Sequence, residues 1–481
     1  MRWLLILFVS LPVWVVLYLA LAGSWGNLTD LKLVDSTVFT FKQSILSAIV
    51  SMLLGTVGAF GLLGFQATKR KISEGVCLLP TVFPSLFLIL ASLNFIEVFT
   101  EFPYGLWGIV IVHSFINIGL ASVLIAKTVE QKIGMPLVWA WLSGVPKPSL
   151  LYHGVLKALK WDFSRIFFVI FLFSWCSFTI PYLVGTLNET TLEVLLFEQI
   201  KIHLNWQKAS VVAVFQLAII WGVGILFLKK DILSPSKLER PLDFISAKLG
   251  VLIPVSVVGV LLFGSFTSLQ AGIGKLIDDT ALQSVVFESS VVSLSLGLAT
   301  AIITAVFSFM ILWCWSTLIR RFFILYQSPS ALILGFIFVY LFGNSHFTIF
   351  ITAFCIAFLY LPFLYKLSLD SKFLSLEPYQ TTAKLLGANK YLTFNEVSLP
   401  LALPAISLAS AIAGFWAAGD YAVSALFLTS DPSLPIVIER LISTYRFELA
   451  TVLTWINLIV GVFVFLIPLG VGYVYSQKYK S

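Results

Sequence analysis

The chain has 481 residues, of which 59% are hydrophobic and only 11% charged, with a formal net charge of +7. A soluble globular domain carries about a quarter charged residues, so this composition, with a mean hydropathy of +1.00, excludes an ordinary soluble globule. Apolar runs of about 20 residues recur along the chain, each long enough to cross roughly 30 Å of hydrocarbon as a helix. The strands of a membrane barrel would be about 10 residues long and would alternate in polarity. The expected fold class is therefore an all-α polytopic membrane protein with about 12 transmembrane helices.

In chain order the spans are expected near 3–21, 38–65, 76–95, 104–126, 166–184 and 209–228, then near 250–266, 285–315, 330–341, 347–367, 401–428 and 451–475. The first, with an apolar stretch from Trp3 to Ala22, exceeds the core of about 7–15 residues of a cleaved secretory signal, and reads as an uncleaved span. Lys and Arg collect on the cytoplasmic side of membrane proteins. Here they follow the even spans: Lys69, Arg70 and Lys71; Lys127, Lys132, Lys147, Lys157, Lys160 and Arg165; Lys229, Lys230, Lys237, Arg240 and Lys248; Arg320 and Arg321; Lys478 and Lys480. The alternate loops hold Asp30, Asp35, Glu97, Glu101, Glu189, Glu193, Asp278, Asp279 and Asp431. Both termini are therefore expected in the cytoplasm. The positive charge orients spans and gives no reason to expect nucleic acid as a partner. Cys77, Cys176, Cys314 and Cys355 lie in or beside apolar segments at no metal-ligand spacing, and read as small buried hydrophobes.

One polar island, 376–400, interrupts the apolar pattern on the cytoplasmic side. Glu377-Pro378 reads as a helix start, because proline fits a first turn where its missing N–H costs nothing. Gly387 reads as the stop, taking the left-handed backbone that other residues avoid. Ala383 and Gly387, four apart, leave one face bare enough for another backbone to approach. The spacing continues through Val397, Leu399 and Pro400. It resembles the coupling ("EAA") loop of permease subunits of binding-protein-dependent ABC importers, with Thr381-Thr382 where Glu-Ala usually stands. The resemblance implies that Ala383, Gly387, Val397, Leu399 and Pro400 form the contact with a separate ATPase subunit.

The chain also repeats itself at about half its length, as expected of parallel repeats related by an axis along the membrane normal. Met135-Pro136 through Gly144 matches Glu377-Pro378 through Gly387, with Ala140 opposite Ala383; Pro84-Ser85 pairs with Pro329-Ser330; 190–194 falls opposite 432–436. Two parallel six-helix halves are expected, 1–230 and 249–481, joined by a cytoplasmic linker at 231–248. The first coupling loop, 135–160, is degenerate: Leu156-Lys157 stands where Leu-Pro is due, and Pro146 and Pro148 should stop the exit from staying helical. Only Ala140 and Gly144 carry over. This fused arrangement resembles the thiamine and ferric-iron permease group of the ABC importers.

Ionisable and polar groups inside spans usually have a role. Asp420, flanked by Trp416 and Tyr421, would suit a pathway for a cationic solute, or else serves helix packing. His113 and Asn117 share one face of the fourth span, where an interhelical hydrogen bond is the plain reading and a pathway role the sharper one. Ser410, Gly414 and Ala418, like Gly55, Gly58, Gly61 and Gly64, are small residues suited to close helix approach. No nucleotide-binding motif occurs: Gly272-Ile273-Gly274-Lys275 is followed by Leu276, without the hydroxyl that would hold magnesium. No nucleophile–base or metalloprotease grouping occurs either. The chain is thus expected to be no enzyme and to bind no cofactor or metal itself. The resemblance implies ATP used by partner ATPase subunits that form a homodimer, an extracytoplasmic solute-binding protein, and a bacterial-type inner membrane. The alternative is an ion-coupled secondary transporter with two six-helix halves.

Overall fold

The computed structural model describes residues 2–22, 32–186, 189–227, 242, 245, 247–326, 329–342 and 347–478. Every regular element among them is helical. In order they are α1 (Arg2–Ala22), α2 (Leu33–Leu62), α3 (Ala67–Val82), α4 (Ser85–Glu97), α5 (Leu106–Leu142), α6 (Lys160–Trp175), α7 (Leu192–Lys201), α8 (Trp206–Phe227) and α9 (Leu252–Thr267). They continue with α10 (Leu269–Asp278), α11 (Thr280–Trp313), α12 (Thr317–Leu325), α13 (Ala331–Phe342), α14 (Thr348–Leu364), α15 (Asp370–Leu385), α16 (Leu399–Ala418), α17 (Leu434–Ser443) and α18 (Phe447–Lys478). Shorter one-turn helices and three π-helical segments lie between them.

Among the described residues 8 helices are long and apolar enough to cross a membrane, or 9 if one bent pair counts as a single span. The chain is thus a multi-pass, all-helical membrane protein. The expected straight span at 76–95 is that bent pair, α3 and α4, meeting at 96°. The cause is Pro84, which has no N–H to continue the ladder and holds Phe83 extended at ψ 146°. Two shorter apolar stretches, Val9–Leu19 within α1 and α13, fall below the length of a span. Most of the expected linker at 231–248 lies outside the described residues. Of its described positions, Leu242 N–H donates to the Leu63 carbonyl at 2.9 Å and Ala247 N–H to the Phe60 carbonyl at 3.2 Å.

Contacts group the chain into two compact units, each discontinuous in sequence: 32–195 with 222–270, and 1–31 with 196–221 and 271–481. In the first of these, α2 and α5 lie side by side, so close that a Cβ on Gly55 would stand 2.4 Å from the Ala121 Cβ. α9 closes on α4 the same way, with Gly264 against the Ala91 carbonyl and Phe95 edge-on to Phe263 at 6.1 Å. In the other unit α11, α16 and α18 form the centre, where Gly414 faces the Gly297 carbonyl and the Val464 side chain. Beside them Phe307 meets Phe354 edge-on at 5.7 Å, and Phe354 stacks on Phe358 at 5.1 Å. At Gly55, Gly264 and Gly414 the missing side chain lets backbones approach closely and gain dispersion contact.

Candidate coupling site

The polar island does not begin a new helix. α14 runs through a π-helical turn, Tyr365–Leu369, straight into α15, so that Thr348–Leu385 is one helical rod of 38 residues. The expected start at Glu377-Pro378 is corrected: Pro378 lies inside α15. Extending a helix already under way needs no new nucleus, and proline there deletes one bond of an otherwise complete ladder. The Thr381 and Thr382 hydroxyls return to the Glu377 and Pro378 carbonyls at 2.8 and 3.0 Å. α5 likewise runs unbroken for 37 residues, through Pro136, to Leu142.

Both rods end on the same geometry. Gly387 takes φ +89° and Gly144 φ +82°. Ala388 N–H reaches back to the Ala383 carbonyl at 3.0 Å, as Val145 N–H does to that of Ala140 at 3.1 Å. Gly387 N–H donates to the Lys384 carbonyl and Gly144 N–H to that of Trp141, each at 3.0 Å. These bonds satisfy carbonyls that a helix end leaves orphaned. Extended residues follow, Asn389 (ψ 171°) and Pro146 (ψ 147°), then one helical turn, Lys390–Leu392 or Lys147–Ser149, then a π-helical segment, Thr393–Ser398 or Leu150–Lys157. The expected loss of helix after Gly144 is corrected in part. Pro146 does interrupt the chain, but Pro148 sits in the first turn of a new helix, where proline is tolerated.

Of the remaining coupling candidates, Val397 lies in the π-helical segment Thr393–Ser398, and Leu399 and Pro400 open α16. They mark the return to the apolar layer and lie away from the tip. What the motif did not single out is the apolar surface beside each glycine. Leu385 and Leu386 are 84% and 82% exposed, and Trp139, Trp141 and Leu142 are exposed beside Gly144. Nothing lies within 4 Å of where a Cβ on Gly387 or Gly144 would stand. The shaft behind each tip is also braced. Gln380 donates to the Ser398 hydroxyl at 2.9 Å, and Lys390 stands 4.5 Å over the Trp313 ring, which meets Phe394 edge-on at 4.9 Å. In the other unit Lys132 reaches Asp162 at 2.5 Å, with Arg165 on the same oxygen at 3.3 Å.

The pathway candidates divide between the units. Asp420 follows the end of α16, where its carboxylate accepts from the Val423 and Ser424 amides at 2.8 and 3.3 Å, at the start of the one-turn helix Ser424–Phe427. That is a local cap. Trp416 packs on Tyr360 and Phe363 of α14, with centroids 4.9 and 5.8 Å apart. His113 and Asn117 are each 2% exposed in the other unit. The interhelical hydrogen bond expected for them is not made: both His113 ring nitrogens and Asn117 Oδ1 lack a protein partner, as do Ser47, Ser51 and Ser114 Oγ. Ala121 and Ser122 meet Gly55 and Gly58, so the stripes 113–117–121 and 114–118–122 of α5 face α2 at the level of Ser47 and Ser51. Among the described residues no group of three His, Cys, Asp or Glu is placed to hold a metal ion.

A membrane-embedded helical body with two glycine-ended rods and apolar tips is the class that these features define. At a distance, the sequence is similar to the thiamine transport system permease protein ThiP of Salmonella typhimurium, at 23% identity over 346 residues, 66% of this chain and 64% of that protein. It is similar to ThiP of Escherichia coli at 24% over 304 residues, 57% of this chain and 55% of that protein, and to ThiP of Haemophilus influenzae at 26% over 208 residues. The chain thus spans less than two thirds of the length of the curated relatives it matches. No family model matches, and no solved structure matches.

Proposed function

We propose that this chain is the membrane-spanning subunit of an ATP-driven ABC importer. It would pass a small solute, with thiamine favoured and ferric iron next, from an extracytoplasmic binding protein to the cytoplasm. The observation that carries this reading is the recurrence of one tip geometry, at Gly144 and Gly387, each flanked by exposed apolar side chains. A soluble ATPase subunit gripping each tip would cover those side chains, and binding would fill the open space at the glycines. ATP hydrolysis belongs to those subunits, and this chain does no chemistry of its own. The distant similarity to thiamine permeases supports the class and favours thiamine among solutes.

Twelve crossings in two parallel halves, 1–230 and 249–481, in a bacterial inner membrane with both termini cytoplasmic, complete the proposal. Further matched pairs support the duplication. Leu192 N–H donates to the Thr40 hydroxyl, and Leu434 N–H to the Ser293 hydroxyl, each at 2.9 Å. Leu204 and Tyr445 both take positive φ, 50° and 58°, just before α8 and α18. Pairs of non-glycine residues in that region are uncommon enough to count as support.

The test is recovery of an ATPase on the tagged full-length chain, solubilised from its native membrane. The wild type is expected to bring down an ABC-type ATPase and to take up labelled thiamine when reconstituted with its binding protein. Gly387→Val should reach the membrane in normal amount and lose the ATPase. Equal recovery on wild type and Gly387→Val would remove the docking role.

A further inference from the structure

In each unit an arginine fastens the helix that precedes a proline break to the rod that carries the tip. Arg320 of α12 forks onto Asp370 at the root of α15, with Nε 2.9 Å from Oδ1 and Nη2 3.3 Å from Oδ2. The Tyr365 hydroxyl donates to Asp370 Oδ1 at 3.0 Å, holding the carboxylate from behind. Lys366 Nζ donates to the Tyr326 carbonyl at 2.8 Å, which ties down the far end of α12, and the Phe323 and Tyr365 rings lie 4.9 Å apart. In the other unit Arg70 of α3 reaches Glu130 of α5 at 2.8 Å and Glu74 at 2.9 Å, with its side chain only 10% exposed. There α3 is also pressed onto α5, the Cys77 carbonyl against Gly119 and the Thr81 hydroxyl donating to the Ile116 carbonyl at 3.1 Å. Both fastened helices stop short of a proline, Pro84 or Pro329, beyond which α4 or α13 begins.

We propose that Arg320 with Asp370, and Arg70 with Glu130, are positioning pairs that lock each pre-proline helix to its rod. A displacement of the tip then carries α12 or α3 with it, and the chain bends at the proline. The Arg320–Asp370 fork of two charge-assisted hydrogen bonds fixes orientation as well as distance; Arg70 links α3 to α5 by a single ion pair to Glu130, its Nε hydrogen bond going to Glu74 of α3 itself. What displaces the tip rests on the importer reading above. The lock itself is a property of this chain and is tested on it alone.

Spin labels at Leu318 of α12 and Leu385 at the tip, both exposed, report the lock by pulsed distance measurement. The protein is the full-length chain in nanodiscs, with its four cysteines replaced. The unaltered pair should give one narrow distance distribution. Arg320→Gln should broaden it about twofold, because the bidentate link is gone. The exchanged pair, Arg320→Asp with Asp370→Arg, should restore the narrow form. Asp370→Asn, which keeps an acceptor for Tyr365, serves as the second single variant if Arg320→Gln does not fold, and should broaden equally. An unchanged width in the single variants, or an exchanged pair as broad as they are, overturns the proposal. ATPase recovery on the unaltered chain is read separately: a narrow distribution that the single variants broaden, with no ATPase bound, fails only the importer reading, and a bound ATPase with the same width in the unaltered chain and the single variants fails only this one.

Discussion

Gly387 and Gly75 show how one substitution changes sign with backbone conformation. Both have open space where a Cβ would go. Gly387 stands at φ +89°, where a side chain meets the following carbonyl; Gly75 lies in α3 with ordinary helical backbone. Gly387→Ala should therefore cost roughly 1–2 kcal/mol at the tip, seen as faster amide exchange at 386–388. Gly75→Ala should stabilise α3 by about 1 kcal/mol, seen as slower exchange there and a higher unfolding midpoint. Asp420 is a second case in which geometry decides between readings. Its carboxylate caps two amides, and asparagine is as good a capping acceptor as aspartate. Asp420→Asn should keep both thermal stability and solute uptake, whereas Asp420→Ala should lose about 1 kcal/mol of stability. Loss of uptake in Asp420→Asn at unchanged stability would return the charge to the pathway. The glycine stop at 387 was legible in the sequence because few residues adopt that backbone. The capping role of Asp420 was not, because it depends on where the chain turns after α16.

At the scale of the element, the tips join an apolar end to a polar shaft. Leu385 and Leu386 support no core of their own unit, since both are more than four-fifths exposed. Replacing both with Glu should leave the unfolding midpoint within about 1 °C, as surface changes usually cost under 0.5 kcal/mol. ATPase recovery on the tagged chain should nevertheless fall at least tenfold, because about 1.4 kcal/mol of lost apolar burial suffices. A fall in midpoint matching the loss of recovery would mean that these leucines hold the fold. Sequence reading placed the tips at Gly144 and Gly387 but expected a separate short helix at Glu377-Pro378. Proline statistics favour a first turn, yet the helix arriving from Thr348 was already formed. Such continuity is set by tertiary context, and a local signal does not carry it. The seam of α2 and α5 was legible only in part. The polar stripe could be read from spacing, but its lack of partners depends on the register set at Gly55 and Gly58.

At the scale of the whole chain, helix direction bears on whether the bent pair α3 and α4 crosses the membrane. α2 and α5 run parallel, since Gly55 meets Ala121 and Gly58 meets Ser122, rising together. Two neighbouring spans that point the same way must be separated by an odd number of crossings, which agrees with counting the bent pair α3 and α4 as one span. Arg70, near the start of α3, reaches Glu130, near the end of α5, as that path requires. The same holds in the other unit for α11 and α14. Thr300 meets the Ala353 carbonyl, Phe307 meets Phe358, and Trp315 meets Tyr365, again rising together. Cysteines placed at Glu101 and Asp431 should accordingly react with an impermeant maleimide added to intact spheroplasts. Cysteines at Lys147 and Lys384 should react only after the membrane is opened. Labelling of Lys147 and Glu101 positions from the same side would mean that α5 does not span, and the proposed cytoplasmic placement of its tip would go with it.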